Sequence, residues 1–174
     1  MKGLIVYKGK YGATAQYASW ISEALDLPKL DLNTQVVDSL AGYDFIIAGS
    51  PVYAGRLLIK EWLHLNQQVL QTKKIFLFVI CASAYEDTTQ QLNIIKNNIP
   101  YNLIQVMETF FLPGRVIINK LSWLDRVIVK LGAILEKDPA KKQLMRRGFD
   151  AVNRTKVNTL IHIALNFSNS EVLP

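Results

Sequence analysis

The sequence predicts an α/β fold: a three-layer sandwich with a five-stranded parallel sheet and helices on both faces. Two observations carry that expectation. Short apolar runs of strand length alternate with segments of helical period from residue 4 to residue 111, the pattern of repeated strand–helix–strand units. The run Ile75-Phe76-Leu77-Phe78-Val79-Ile80-Cys81 is apolar without interruption, as a strand covered on both faces must be.

Leu4-Ile5-Val6-Tyr7 reads as the first strand. Tyr17, Ala18, Ile21, Ala24 and Leu25 then recur at helical spacing, which predicts a helix over 14–27. A short strand is expected over 29–32. Asp44-Phe45-Ile46-Ile47-Ala48-Gly49 is the third strand, ended by the turn Ser50-Pro51, and a helix over 58–70 follows. The fourth strand spans 74–81. A helix over 88–98 presents Leu92, Ile95 and Ile99 on one side, and 104–111 forms the fifth strand.

Leu112-Pro113-Gly114-Arg115 turns the chain into an extra helical segment at about 112–147. Ser122 is placed to cap a helix there, with Asp125 in the capping-box position. Trp123, Leu124, Val127, Ile128, Leu131, Ile134 and Leu135 give that helix a wide apolar face, expected to pack on the protein's own sheet. Asp125, Arg126, Lys130 and Lys137 lie elsewhere on its surface. Asp138-Pro139 breaks it before the basic run Lys141-Lys142-Gln143-Leu144-Met145-Arg146-Arg147. A last helix over 152–165 closes what reads as a single domain.

The chain has 174 residues, half of them apolar and a fifth charged, enough for a full hydrophobic core. Its one cysteine, Cys81, excludes a disulfide framework and fits a reducing cytoplasm; it reads as a small core residue. The first apolar run is too short for a secretory leader. The stretch 116–135 is interrupted by Asn119, Lys120, Asp125, Arg126 and Lys130, which argues against a membrane span. A net charge of +6 and a pI near 9.4 suit an anionic ligand, an acidic partner, nucleic acid or an anionic membrane surface.

In an open parallel sheet, ligands bind beyond the carboxyl ends of the strands. Three turns lie there. In the first, Lys8, Gly9, Lys10, Tyr11, Gly12, Ala13 and Thr14 join two glycines to a helix start. Glycine lets amides turn inward, and a helix N-terminus favours a phosphate; the two lysines would nearly neutralise a phosphomonoester of about −1.5 to −2 charges. The same turn would also serve as a plain connection with solvated lysines. In the second, Ser50, Pro51, Val52, Tyr53, Ala54 and Gly55 offer an aromatic face and small residues to a flat ring. Ala82, Ser83, Ala84 and Tyr85 offer the same from the facing side. Tyr53 and Tyr85 would otherwise be ordinary surface aromatics. No Walker loop is present, and Gly9-Lys10-Tyr11-Gly12 falls short of the dinucleotide fingerprint. Lys8 and Ser50 stand where a phosphoacceptor domain would need acids.

The motif Gly9-Lys10-Tyr11-Gly12-Ala13-Thr14 resembles the flavodoxin phosphate loop, [ST]-x-T-G-x-T, with Gly9 and Tyr11 at two of its hydroxyl positions. Asp44-Phe45-Ile46-Ile47-Ala48-Gly49-Ser50-Pro51-Val52-Tyr53-Ala54-Gly55 resembles one branch of that family, the group that includes menaquinone-dependent protoporphyrinogen dehydrogenase. Residues 110–131, FFLPGRVIINKLSWLDRVIVKL, look like that group's segment after the fifth strand. The resemblance implies strand order 2-1-3-4-5 and non-covalent FMN. The phosphate would sit at 8–14, and the isoalloxazine between 50–55 and 82–85.

It further implies an oxidoreductase or electron carrier, with a redox partner protein or a quinone as partner. No residue reads as a required acid or base; His64 and His162 read as structural or exposed. Flavodoxins are typically acidic, whereas this chain is basic. A basic chain with an amphipathic helix at 122–137 could dock peripherally on the inner face of an anionic membrane, or use the same face in a homodimer. Nucleic acid is not expected. The alternative function is a cofactor-free interaction module on the same fold, motivated by the hydroxyls replaced at Gly9 and Tyr11.

Overall fold

Alternating side chains divide the sheet into two cores. The computed structural model describes residues 1–81, 87–136 and 138–170. Strands β1 (Gly3–Tyr7), β2 (Lys29–Asp31), β3 (Phe45–Tyr53), β5 (Lys74–Cys81) and β6 (Met107–Pro113) form a parallel sheet in the order β2-β1-β3-β5-β6. A short β4 (Arg56–Leu57) pairs antiparallel with the end of β3. Leu4, Val6, Ile46, Ala48, Ile75, Leu77 and Val79 face one side, against α2 (Lys60–Leu65), α3 (Gln67–Leu70), α4 (Thr88–Asn98) and α5 (Tyr101–Ile104). Ile5, Phe45, Ile47, Phe76, Phe78 and Ile80 face the other, against α1 (Ala13–Leu25) and α8 (Asn158–Asn169). Successive strand residues point to opposite faces, so a run apolar at every position requires a helix layer on each side. That is the predicted α/β sandwich, and its strand order follows the flavodoxin-like 2-1-3-4-5 once the β4 hairpin strand is set aside.

Several expected boundaries move. β3 does not turn at Ser50-Pro51 but runs on to Tyr53. Its neighbour β1 ends opposite Gly49, so beyond that residue one side of β3 is an edge, where proline is tolerated. The 58–70 helix divides at Asn66 into α2 and α3. Residues 101–104 form the turn of helix α5, and the fifth parallel strand runs from Met107 to Pro113. Leu92 on α4 is half exposed, and Ile94 is buried in its place. The final helix begins at Asn158, after the 3-10 turn Arg154–Val157.

The segment after β6 leaves the sandwich and returns to it. β7 (Arg115–Val116) pairs antiparallel with β8 (Phe149–Asp150). Between them lie the 3-10 turn Ile118–Lys120, α6 (Trp123–Leu135) and α7 (Pro139–Arg147). The basic run is thus helical, and Pro139 opens its helix, where its missing N–H costs nothing. Gly148 closes the excursion: a Cβ there would sit 2.5 Å from the Val116 carbonyl oxygen. The buried Tyr17 hydroxyl ties this return to α1, donating to Pro113 O at 3.0 Å and accepting from Asn153 N at 3.1 Å.

Asn98, buried at the end of α4, braces the β3–β4 hairpin. Its Oδ1 accepts from Leu57 N at 2.9 Å, and its Nδ2 donates to Gly55 O and Ile94 O at 2.8 Å each. Asn98→Ala leaves a buried amide and two carbonyls without these partners. We expect it to lower stability by about 2–3 kcal/mol, read as a lower urea midpoint with an unchanged slope.

Candidate functional site

A cavity of about 440 Å³ lies beyond the carboxyl ends of β1, β3 and β5. Its first wall is the corner between β1 and α1. Gly12 caps α1 at φ 86, and no side chain caps the helix. Only glycine holds that left-handed conformation without strain, and the uncapped first turn leaves N–H groups directed outward. Thr14 in that turn is 2% exposed and lines the cavity. A Cβ on Gly9 would come within 3.1 Å of the Thr14 side chain, so Gly9 is small to let Thr14 in. Asn33 holds the loop from outside through Gly9 O at 2.8 Å.

The second wall is the β3–β4 hairpin. Tyr53 pairs with Arg56 across a two-residue turn, Ala54 at φ 48 and Gly55 at φ 76. Positive φ at both central positions is the type I′ geometry that matches strand twist. Ala54 is strained there, by about 1–2 kcal/mol, and such strain clusters at ligand-binding loops. Tyr53 and Tyr11 face each other with ring centroids 6.4 Å apart. Burial pushes the Tyr53 phenol well above its ordinary range, and the nearby Tyr11 and Asp125 push it the same way. Tyr53 is therefore neutral at any moderate pH.

Arg115 on β7 forms a third wall. It donates to Gln16 Oε1 through Nη2, and its Nε lies 3.3 Å from Asp150 Oδ1. The Nε is fully buried, yet it makes no hydrogen bond of acceptable geometry. The guanidinium, tied to Gln16 and ion-paired with Asp150, stands at the edge of the cavity it lines.

The roof is α6 with the start of the excursion: Leu121, Asp125, Ile128, Val129 and Gly132, joined by Met145 of α7. One carboxylate fastens it. Asp125 is 6% exposed and accepts from Lys10 Nζ at 2.5 Å and from the Tyr11 hydroxyl. Ser122 caps α6 as expected, its hydroxyl accepting from Asp125 N at 3.2 Å. The reciprocal half of the capping box is absent. Instead the Tyr11 hydroxyl accepts from Ser122 N at 2.9 Å and donates to Asp125 Oδ2. Burial alone would raise the Asp125 carboxyl, but hydrogen bonds from Lys10, Tyr11 and Ser122 outweigh it and lower the pKa. The hydrogen bond to Asp125 correspondingly raises that of Lys10.

The sequence-predicted residues divide. Lys10, Tyr11, Ala13, Thr14, Pro51, Val52, Tyr53, Ala54 and Gly55 line the cavity; Lys8, Gly9, Gly12 and Ser50 stand behind its lining. Ser50 is fully buried, its hydroxyl accepting from Ile59 N at 3.2 Å and donating to Pro51 O at 3.0 Å. Ala82, Ser83, Ala84 and Tyr85 lie outside the described residues. The two lysines of the first turn stand differently. Lys8 does not reach the cavity, and Lys10 is committed to Asp125. Asp125 is likewise not a surface charge. Arg115, Asn98 and the roof were missed; Arg115 had a signal, since it follows the fifth parallel strand at the same edge. His64 and His162 are exposed, the latter 3.1 Å from Asn166.

The depressed Asp125 pKa sets a pH dependence. A carboxyl with a lowered folded pKa contributes stability that is fully present above its ordinary value of 3.8 and is lost as pH falls through the folded value. Asp125→Asn should therefore cost about 2 kcal/mol at pH 7. The gap to the parent should narrow at acid pH, once Asp125 itself is protonated. Urea denaturation of both proteins across pH checks this.

A family model described as a flavodoxin domain matches residues 4–143. No curated protein sequence matches the chain. Among solved structures, oxidised flavodoxin 2 from Bacillus cereus is 23% identical, with a TM-score of 0.49 over 65% of this chain and 84% of that one. Oxidised flavodoxin 1 from the same organism is 16% identical, with a TM-score of 0.46 over 84% and 96%. The Fusobacterium nucleatum flavodoxin bound to flavin mononucleotide is 16% identical, with a TM-score of 0.42 over 67% and 71%. The family match covers the strands of the parallel sheet, both described cavity loops and α6, and on it the chain belongs to the flavodoxin-domain family.

Proposed function

We propose that the chain binds FMN non-covalently in the roofed cavity and works as a flavodoxin-type electron-transfer protein. The observation that carries this is the junction of an uncapped helix N-terminus with an apolar, aromatic-flanked cavity at the carboxyl edge of the sheet. The residues fit the group. The first-turn amides of α1 and the Thr14 hydroxyl would hold its phosphate, with Arg115, paired with Asp150, lining the same cavity. Val52, Tyr53 and Ala54 would flank the ring, with backbone of the strained hairpin beside it. FMN, when bound, supplies the redox chemistry. The chain's part is to bind, to orient and to exclude water beneath α6.

The sharper version is a quinone-dependent oxidoreductase of the protoporphyrinogen dehydrogenase type. Leu121, Ile128, Val129 and Met145 favour it, because an apolar roof suits a lipophilic electron acceptor better than a charged protein surface. Oxidation of protoporphyrinogen by the flavin-loaded protein, with a quinone as acceptor, would distinguish it from a plain carrier.

FMN titration followed by absorbance and flavin fluorescence is the test. Saturable binding at micromolar affinity or tighter is expected. Thr14→Val should weaken it about tenfold, the effect of one hydrogen bond to an ionised group. Asp125→Asn should tighten it several-fold despite its lower stability, because it removes a negative charge from the phosphate corner and releases Lys10. No binding at high FMN would overturn the reading and leave a cofactor-free interaction module on this fold.

A further inference from the structure

The face of α6 that the sequence assigns to the protein's own sheet is turned to solvent. Trp123 is 74% exposed, Ile134 61%, Leu131 55% and Leu135 80%; Leu124, Val127 and Ile128 are also exposed. At about 100° per residue these seven fall within an arc of about 140°. The opposite side touches the body through Asp125, Val129, Gly132 and Ala133, a strip of small or narrowly placed residues. The helix is thus amphipathic with its apolar side outward.

Cations border that face. Arg126 and Lys130 lie next to it on the helix surface, and Arg146 comes from α7. These three surround a crevice of about 330 Å³ between the two helices, whose floor includes Ile118 and Ile134. None of the three forms an ion pair among the described residues. Lys120 and Arg147 are exposed nearby. Three unpaired cations held together repel one another, and an apolar ridge loses free energy in water; one occupant relieves both.

We propose that the α6–α7 hairpin docks this protein on the surface of an anionic lipid bilayer. The apolar arc of α6 lies in the boundary between headgroups and acyl chains, and Arg126, Lys130 and Arg146 bind lipid phosphates. The helix lies on the bilayer and does not cross it. Its 13 residues span about 20 Å against about 30 Å of hydrocarbon, and no helix among the described residues is long and apolar enough to cross. A ridge of long side chains on a convex helix offers a protein partner no pocket, whereas a fluid acyl layer closes around it. Ile128 belongs both to this face and to the roof of the cavity, so docking brings the roof against the lipid.

The test is co-sedimentation of the full chain with vesicles of equimolar phosphatidylglycerol and phosphatidylcholine, and with vesicles of phosphatidylcholine alone. Binding to the anionic vesicles, weakened by salt and accompanied by a blue shift of tryptophan emission that Trp123→Phe removes, is expected. Arg126→Gln/Lys130→Gln/Arg146→Gln should weaken partitioning by about a hundredfold. Trp123→Ser/Leu131→Ser should abolish it with the charges intact. All five side chains are exposed and lie outside the cavity lining, so both variants should keep the parent's urea midpoint. No sedimentation with either vesicle overturns the proposal. So does equal, salt-insensitive binding to both, or light scattering that shows a dimer which buries Trp123 and ignores vesicles.

Discussion

The roof of the cavity hangs on one buried carboxylate. Asp125 is separated from Lys10 by more than a hundred residues of chain, yet the two lie 2.5 Å apart. A carboxylate taken out of water must recover its hydration from fixed donors, and this one has an ammonium and a phenol, while its own backbone N–H is taken by the Ser122 cap. Because Lys10 remains half exposed, the pair is desolvated on one side only, which limits what burial takes back. The far ends of the excursion are clasped by β7 and β8, but that pairing is two residues long on each strand. Without Asp125 the helices would be tethered at their base and free at the cavity. The same contact uses up Lys10, so the corner that would hold an anion is less positive than the composition suggests.

That attachment also explains why α6 has so much apolar surface to spare. A helix packed on a sheet buries a broad stripe. Here the body side of α6 is narrow, and Gly132 lets α7 approach until Met145 sits 3.3 Å from where a Cβ would be. With polar fastening on one edge and a glycine contact on the other, the apolar arc has nothing within the described residues left to cover. The arrangement trades burial for reach, since the helix extends over the mouth of the cavity instead of lying flat against the sandwich.

The sandwich was legible in the sequence because its information is local. Strand alternation, uninterrupted apolar runs and helical spacing each depend on neighbours a few residues away. The corner between β1 and α1 was legible in part for the same reason: Gly12 and Thr14 mark a helix start whatever surrounds them. What failed was long-range. Lys8 and Lys10 are two positions apart, and nothing local says that one lines the cavity while the other does not. Asp125 sits where a capping box places an acid, and only the arrival of Tyr11 frees it for another task. Ser50-Pro51 read as a turn because proline usually ends a strand. Knowing that β1 stops opposite Gly49 requires the register, which no single strand encodes.

The cavity's electrostatics follow from these contacts. Lys10 is held protonated by its carboxylate partner, Asp125 is held ionised, and burial keeps Tyr53 neutral. None of the three changes charge near neutral pH. A ligand there would meet a fixed field: the first-turn amides of α1, which no side chain caps, the Lys10–Asp125 ion pair, and Arg115 paired with Asp150. Fixed fields favour binding and orientation, because they need no reorganisation when a charge arrives. They are poorly suited to moving protons. The residues that line the described cavity are thus better matched to a cofactor that carries its own chemistry than to a reaction in which the protein must act as acid or base.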